Sequence, residues 1–338
     1  MKKLCDIPAG KPRPRHRTGP GRLFVFVLTA GLTLAAVSGS ARATESCAPP
    51  ADTSACDFLW KDVGLPVSNK DEGCNDYVEI CKPEFLVRHN NTTKTPDWVI
   101  ERLTEELVTG TNKRPKVGFK PDPEVPADRT AVDDDYARSL YARGHQAASA
   151  DFKSNRDWMI QTFVFSNAVP QEGPGFNSSI WSQFEDMVRD LAVSRREIVV
   201  ITGPVYQDPR GKDIVIPESQ NPCGREIVLP ALKRKAICGG KTGEGPNLAC
   251  AEEDGVAIPA GLFKIIVDPG VGRVNAYLLP NIDHPSRSER GTTSQDYLRT
   301  FRLSVLNLED RTGFKFLPEY DRHERRSQKE SCPATMVR

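Results

Sequence analysis

The chain has 338 residues, 38% hydrophobic and 27% charged, with nine cysteines and a formal net charge of +1. This composition excludes a collagen-like or wholly disordered protein. A mean hydropathy of −0.46, with one long apolar run, excludes a polytopic membrane protein. The charge is uneven: residues 1–43 hold eight Lys/Arg and one acid, leaving 38 bases against 44 acids beyond them. Without its front the protein is mildly acidic, so a polyanion would need a local basic patch.

The front has the order of a secretory signal: a basic stretch to Arg22, an apolar run from Leu23 to Val37, then Ser40-Ala41-Arg42-Ala43. Cleavage is expected after Ala43, giving an exported, extracytoplasmic protein, secreted or periplasmic, with no stable membrane partner. The alternatives are an uncleaved anchor or, given the arginines, a mitochondrial presequence. Cys5 leaves with the signal. The eight remaining cysteines are an even number without a CxxC metal pair, which suggests disulfides in an oxidising compartment. Eight cysteines allow 105 pairings, and none is assigned.

Residues 44–82, with four cysteines among Pro, Asp and Asn, are expected to be loops stapled by bridges. Phe85-Leu86-Val87 and Trp98-Val99-Ile100 predict a hairpin, and Phe163-Val164-Phe165 a strand. Residues 109–135, rich in Pro, Lys and Asp, predict loop. Trp181, Phe184, Val188 and Leu191 recur at helical period and predict a helix over 178–194, with Asn177, Ser178 or Ser179 as N-cap. Ile198 to Thr202 predicts a buried strand, and further strands are expected at 262–268 and 273–279. The Gly/Pro-punctuated segment 207–256 predicts a long stapled loop, by default surface decoration. Ser304 predicts the cap of a helix to about Thr312, stopped by Gly313. Strands and helices mix without regular βαβ alternation, so the fold class is α+β.

One set of residues carries chemistry. His145 stands in Tyr141-Ala142-Arg143-Gly144-His145-Gln146. After it come Ser166-Asn167-Ala168-Val169-Pro170-Gln171, then Asn177, Trp181, Glu185 and Arg189. In that order they resemble the DNA/RNA non-specific endonucleases, the ββα-metal nucleases, whose motifs are Asp-Arg-Gly-His, Ser-Asn-x-x-Pro-Gln and Asn-x-x-x-Trp-x-x-x-Glu. The resemblance runs from about Phe85 to Pro318, with Asp97-Trp98-Val99 upstream and Glu309-Asp310-Arg311-Thr312-Gly313 downstream. It implies a mainly antiparallel central sheet with flanking helices, DNA and RNA as substrates, and Mg²⁺ as cofactor, with Mn²⁺ able to replace it. It leaves a homodimer open. The boundaries are then a signal at 1–43, a Cys-rich extension at 44–82, the endonuclease domain at 83–320 with the insertion 207–256, and a tail at 321–338.

The residue types suit phosphodiester cleavage. His145 has the ordinary pKa, about 6.5, for removing a proton near neutrality, and the resemblance makes it the general base. Asn177 can cap the helix, accept a glycan in Asn177-Ser178-Ser179, or lend a neutral oxygen to a hard cation; the resemblance implies the ligand. Glu185 and Arg189 fall on the flank of the apolar stripe, four residues apart, and can pair with each other. In the family the matching Glu holds metal-bound water and the matching Arg sits by the phosphate. Arg143 and Arg114 are the other phosphate-side candidates because planar guanidinium suits phosphate oxygens, with Lys116 able to take the place of Arg114 before Phe119. Gly144 is expected to let backbone and phosphate approach closely, and Asn167 to fix the loop carrying the base.

His89, His284 and His323 lack comparable context and are expected at the surface. No HExxH, P-loop or GxSxG pattern occurs. Two features depart from the family: Ala142 stands where Asp is usual, and segment 207–256 is long. They motivate an alternative, a catalytically weakened nuclease fold that binds nucleic acid or a protein partner.

Overall fold

The computed structural model describes residues 53–70, 72–73, 75–221, 225–239 and 255–320. The expected signal, the tail at 321–338, His323, Cys47, Cys74, Cys223, Cys250 and Cys332 lie outside them. All described residues belong to the compact unit Cys47–Arg338.

A seven-stranded sheet, antiparallel throughout, organises this unit. Its order is Arg302–Leu303, Arg273–Pro280, Gly261–Asp268, Glu197–Val205, Thr95–Thr104, Phe85–Asn90 and Tyr77–Cys81. The expected hairpin forms, with Leu86 opposite Ile100 and Val87 opposite Val99. Glu197–Val205 lies at the centre, and its apolar run is buried on both faces, as a strand covered on two sides requires.

Alternation assigns the faces. Ile100, Ile201, Ile265 and Leu278 join Trp98, Phe263, Phe314 and Phe316 in one core. Val99, Leu103, Val200, Leu262 and Ile266 face the other way, where Trp181, Phe184 and Val188 of the helix Ser182–Arg195 pack on them. The predicted stripe is therefore the buried face of that helix, with Leu191 at its edge. The predicted Ser304 helix forms as Val305–Thr312: the Ser304 side chain accepts from the Asn307 N–H, and Gly313 takes φ 74° at the stop.

Several expectations are corrected. The edge strand Tyr77–Cys81 lies in the segment read as stapled loop, and a Cys56–Cys81 disulfide ties it to the turn before it. Phe163 to Phe165 is no strand: Val164 makes one isolated bridge to Lys120, and Phe165–Asn167 is a 3₁₀ turn. Its rings pack against Phe119 and Tyr136 instead of forming a ladder. Segment 207–256 is built into the fold where it is described. Ile214–Ile216 pairs with Ile227–Leu229, burying Ile216, Ile227 and Leu229 in the first core, and Cys238 is disulfide-bonded. His89 and His284 are buried; His89 Nε2 bonds the Arg129 carbonyl, and His284 bonds Tyr297 Oη and the Pro280 carbonyl. Among the described residues no helix is long and apolar enough to cross a membrane.

Candidate active site

The site begins on a two-stranded ribbon, Tyr141–His145 against Ala168–Glu172, with Arg143 opposite Pro170 and His145 opposite Ala168. In an extended strand residues two apart share a side, so Arg143 and His145 project together. Gly144 points the other way, and a Cβ there would collide with the Gln171 side chain. Gln171, not an approaching phosphate, is what requires glycine here, and Gly144 is not among the cleft-lining residues. That corrects its expected role.

Asn167 acts as a latch. Its Oδ1 accepts from the Ala147 N–H at 2.9 Å, and its Nδ2 donates to the Ala147 and Thr162 carbonyls at 3.0 Å each. Its own carbonyl accepts from the Gln146 N–H at 2.9 Å. These bonds hold the turn after His145, but Asn167 is fully buried and is not among the cleft-lining residues.

The His145 ring stands between Phe119, at 4.6 Å, and the edge of Phe163, at 4.7 Å. The Arg114 guanidinium lies 4.9 Å from the same Phe163 ring. Burial first, and the charge of Arg114 second, push the His145 pKa down to about 3. The imidazole is thus neutral at neutral pH, and its Nε2 has no hydrogen-bond partner.

The helix that follows does not start as expected. Gly173–Trp181 winds as a π-helix before the α-helical Ser182–Arg195, and the cap is Glu172, whose carboxylate accepts from the Gly175 and Phe176 N–H groups at 2.9 and 2.8 Å. Asn177 is therefore not the N-cap; its amide lies inside the wide turn and is free for another partner. Wide turns of this kind recur at functional sites. Glu185 is half-buried on the next turns. Burial chiefly, against Lys264 and with Asp151, raises its pKa to about 7.

These elements enclose a cleft of about 380 Å³ whose walls include Arg114, Arg143, His145, Asn177 and Glu185. Five residues proposed from the sequence thus share one site. Arg189 is not in its walls. Its guanidinium bonds Asp151 and Asp186, each at 2.6 Å, so it pairs with neither Glu185 nor open cleft. Arg143 is paired with Asp133 at 2.8 Å but remains a third exposed. A larger depression of about 660 Å³, beside the helix Ser182–Arg195, holds none of the motif residues; its wall includes Asp186, the ion-pair partner of Arg189.

Sequence reasoning missed Ser149, Ser178 and Ser182 in the cleft wall, the Phe119 and Phe163 rings around His145, and Asp151 behind Arg189. Only Ser178 and Ser182 carried a signal, one residue beyond Asn177 and Trp181 on the helix.

Residues 67–323 match the family described as DNA/RNA non-specific endonuclease. The mitochondrial nuclease EXOG of Danio rerio is 29% identical over 238 residues, covering 69% of this chain and 59% of that protein. The mitochondrial nuclease EXOG of Homo sapiens is 27% identical over 251 residues, 72% of this chain and 57% of that protein. The match thus spans less than two thirds of these relatives' own length. A chain from a solved EndoG/EndoGI complex superposes with a TM-score of 0.59 at 24% identity, covering 81% of this chain and 96% of the other. That likeness is one of fold, the expected ββα-metal nuclease fold. The relatives correct the expectation of export, because both are named as mitochondrial; an arginine-rich front before a short apolar run reads alike for either address. The chain belongs to the DNA/RNA non-specific endonuclease family.

Proposed function

We propose that the protein is an endonuclease hydrolysing phosphodiester bonds of DNA and RNA without strong sequence preference, with His145 as general base and Asn177 as protein ligand of a divalent cation. One observation carries this reading: Arg114, Arg143, His145, Asn177 and Glu185 line a single cleft.

The donor set fits a hard cation. Among the described residues no group of three or more His, Cys, Asp and Glu could hold a metal ion, so any cation here takes few protein atoms. The Asn177 amide and Glu185 carboxylate offer oxygens in a polar cleft, which suits Mg²⁺ or Mn²⁺ with its hydration largely kept. When bound, the ion supplies positive charge for the phosphate and the leaving oxygen.

The chain's own groups do the rest. The neutral His145 ring accepts a proton from water, and its surroundings of Phe119 and Phe163 limit its rotation. Phosphate arriving beside Arg114 offsets the cationic charge that disfavours imidazolium, so substrate itself strengthens the base. Arg143 has exposure enough to leave Asp133 for a phosphate oxygen. These contacts address the backbone and carry no base information, which accounts for low sequence preference.

The test is nicking of supercoiled plasmid by the purified protein with Mg²⁺, stopped by EDTA and by His145→Ala. No cleavage with Mg²⁺, Mn²⁺ or other divalent ions overturns the reading. Ala142, opposite Gln171 in the ribbon, favours the competing one, a nuclease fold that binds nucleic acid without cutting it. Salt-sensitive binding without cleavage, with cleavage gained in Ala142→Asp, would establish that alternative.

A further inference from the structure

The bases around the cleft are unevenly disposed. Residues 107–121 hold Lys113, Arg114, Lys116 and Lys120 and no acid. Backbone contacts pin this loop at both ends. At one, Asn112 donates from its main-chain N–H and its Nδ2 to the Lys153 carbonyl, at 3.3 and 2.8 Å, and a Cβ on Gly110 would collide with the Lys153 backbone. At the other, the Lys120 N–H donates to the Phe163 carbonyl and the Lys120 carbonyl accepts from the Phe165 N–H. Between these ends Pro115 is buried, while Lys113, Arg114 and Lys116 are exposed. Lys153 follows the turn Ser149–Phe152, whose Ser149 and Ala150 are cleft wall. Just beyond it, the exposed Arg156 brings its guanidinium to 3.5 Å from the Lys113 carbonyl. The loop and residues 153–156 thus form one shelf that continues from the Arg114 wall of the cleft.

The charges on this shelf are uncommitted. Arg143 is held by Asp133, and Arg189 by Asp151 and Asp186. Among the described residues, Lys113, Arg114, Lys116 and Arg156 form no ion pair, and neither does Asp157, the acid next to Arg156. At Arg143 the edge of the cleft has the other sign: Asp133 and Asp134 are exposed there in the helix Asp133–Tyr136, with Arg138 the one base close behind them. The chain beyond its front is acidic, so a polyanion needs a local patch to bind. Exposed cations on a fixed backbone, running out from a cleft, are the footprint of a phosphate backbone.

We propose that the shelf binds the nucleic-acid strand beyond the cleft: Lys113, Lys116 and Arg156 take backbone phosphates of the strand that leaves past Arg114, and the strand runs away from Asp133 and Asp134. The proposal rests on the nuclease reading for what becomes of the phosphate in the cleft, while the shelf holds its strand whether or not it is cut. Guanidinium and ammonium groups address phosphate and not bases, so DNA and RNA are held alike.

The test is binding of fluorescently labelled single-stranded and duplex DNA by the full chain in EDTA, followed by anisotropy across a salt titration. Lys113→Gln combined with Arg156→Gln is expected to reduce the slope of log binding constant against log salt by about 1.4–1.8, and to weaken binding more than about tenfold at about 0.1 M salt. Lys61→Gln combined with Lys212→Gln removes the same charge from exposed positions outside the cleft wall and is expected to leave both quantities unchanged. A shelf pair that binds as the wild type does overturns the proposal. So does a control pair that loses as much, since binding would then follow bulk charge, and so does a wild type that binds neither form of DNA. If the shelf pair fails to fold by far-UV circular dichroism, Lys116→Gln alone decides, with a slope reduced by about 0.7–0.9 expected and an unchanged slope overturning the proposal. A wild type that shows the shelf dependence yet nicks no plasmid with Mg²⁺ or Mn²⁺ defeats the nuclease reading and leaves the shelf in place. Nicking with no shelf dependence defeats the shelf alone.

Discussion

On one face of the central sheet, Trp98, Ile100, Ile201, Phe263 and Ile265 meet Phe314 and Phe316 in an apolar layer. On the other, Val99, Val200 and Ile266 meet Trp181, Phe184 and Val188, yet Glu101, Thr202 and Lys264 stand in the same rows. The first layer has only burial to optimise. The second also bears the cleft, and its polar groups are tolerable because each is bonded, paired or protonated. Stability and chemistry are thus divided between the two sides of one sheet, and substitutions should separate them.

The largest effect is expected on the cleft side. His145→Ala should lower kcat/KM about 10²–10⁴-fold, the usual worth of a positioned base, with unchanged far-UV circular dichroism; plasmid kinetics check it. On the far side, Phe263→Ala should cost about 3–5 kcal/mol of stability. Urea titration measures that loss, and the folded fraction should cleave at the wild-type rate. Replacing Cys56 and Cys81 by serine should cost about 2–4 kcal/mol, again without altering the activity of folded protein. A fall in kcat in either case would show that the two sides are not independent.

Asn167→Ala lies between the classes. It removes three side-chain hydrogen bonds behind His145 and orphans the Ala147 groups, so about 1–3 kcal/mol of stability and part of the activity should be lost together. The smallest effect is a change of pH. Glu185, raised to about 7, is protonated below that value and a carboxylate above it. His145, lowered to about 3, stays neutral throughout this range. Cleavage should therefore fall about tenfold per unit below pH 7, and Glu185→Gln should abolish that limb. A limb that persists in this variant would assign it to another group.

Much of the site was readable because its residues follow local periods. Alternation along Tyr141–His145 puts Arg143 with His145, and the Trp181 stripe fixes which helix face is buried, leaving Glu185 on its flank beside the cleft. Arg189 failed because its partner, Asp151, comes from a distant turn with no periodic relation to the helix. The π-helical entry at Gly173–Trp181 failed for a related reason: the Glu172 cap and the close approach of Asp283 to Gly175 are tertiary contacts. His89 and His284 were placed at the surface because a lone histidine has no sequence mark of the carbonyl that will bond it in the core.

From its residues alone the chain determined the α+β class, the helix stripe, the Ser304 cap with its Gly313 stop, and the identity of the histidine, asparagine and glutamate that meet. Each depends on neighbours within a turn or a strand. Folding decided which arginines face the cleft, that Gln171 demands Gly144, that part of 207–256 is core, and that a buried lysine stands against the Trp181 ring. Those outcomes depend on which remote groups share a buried volume, where an unpaired charge costs more than any local preference can supply.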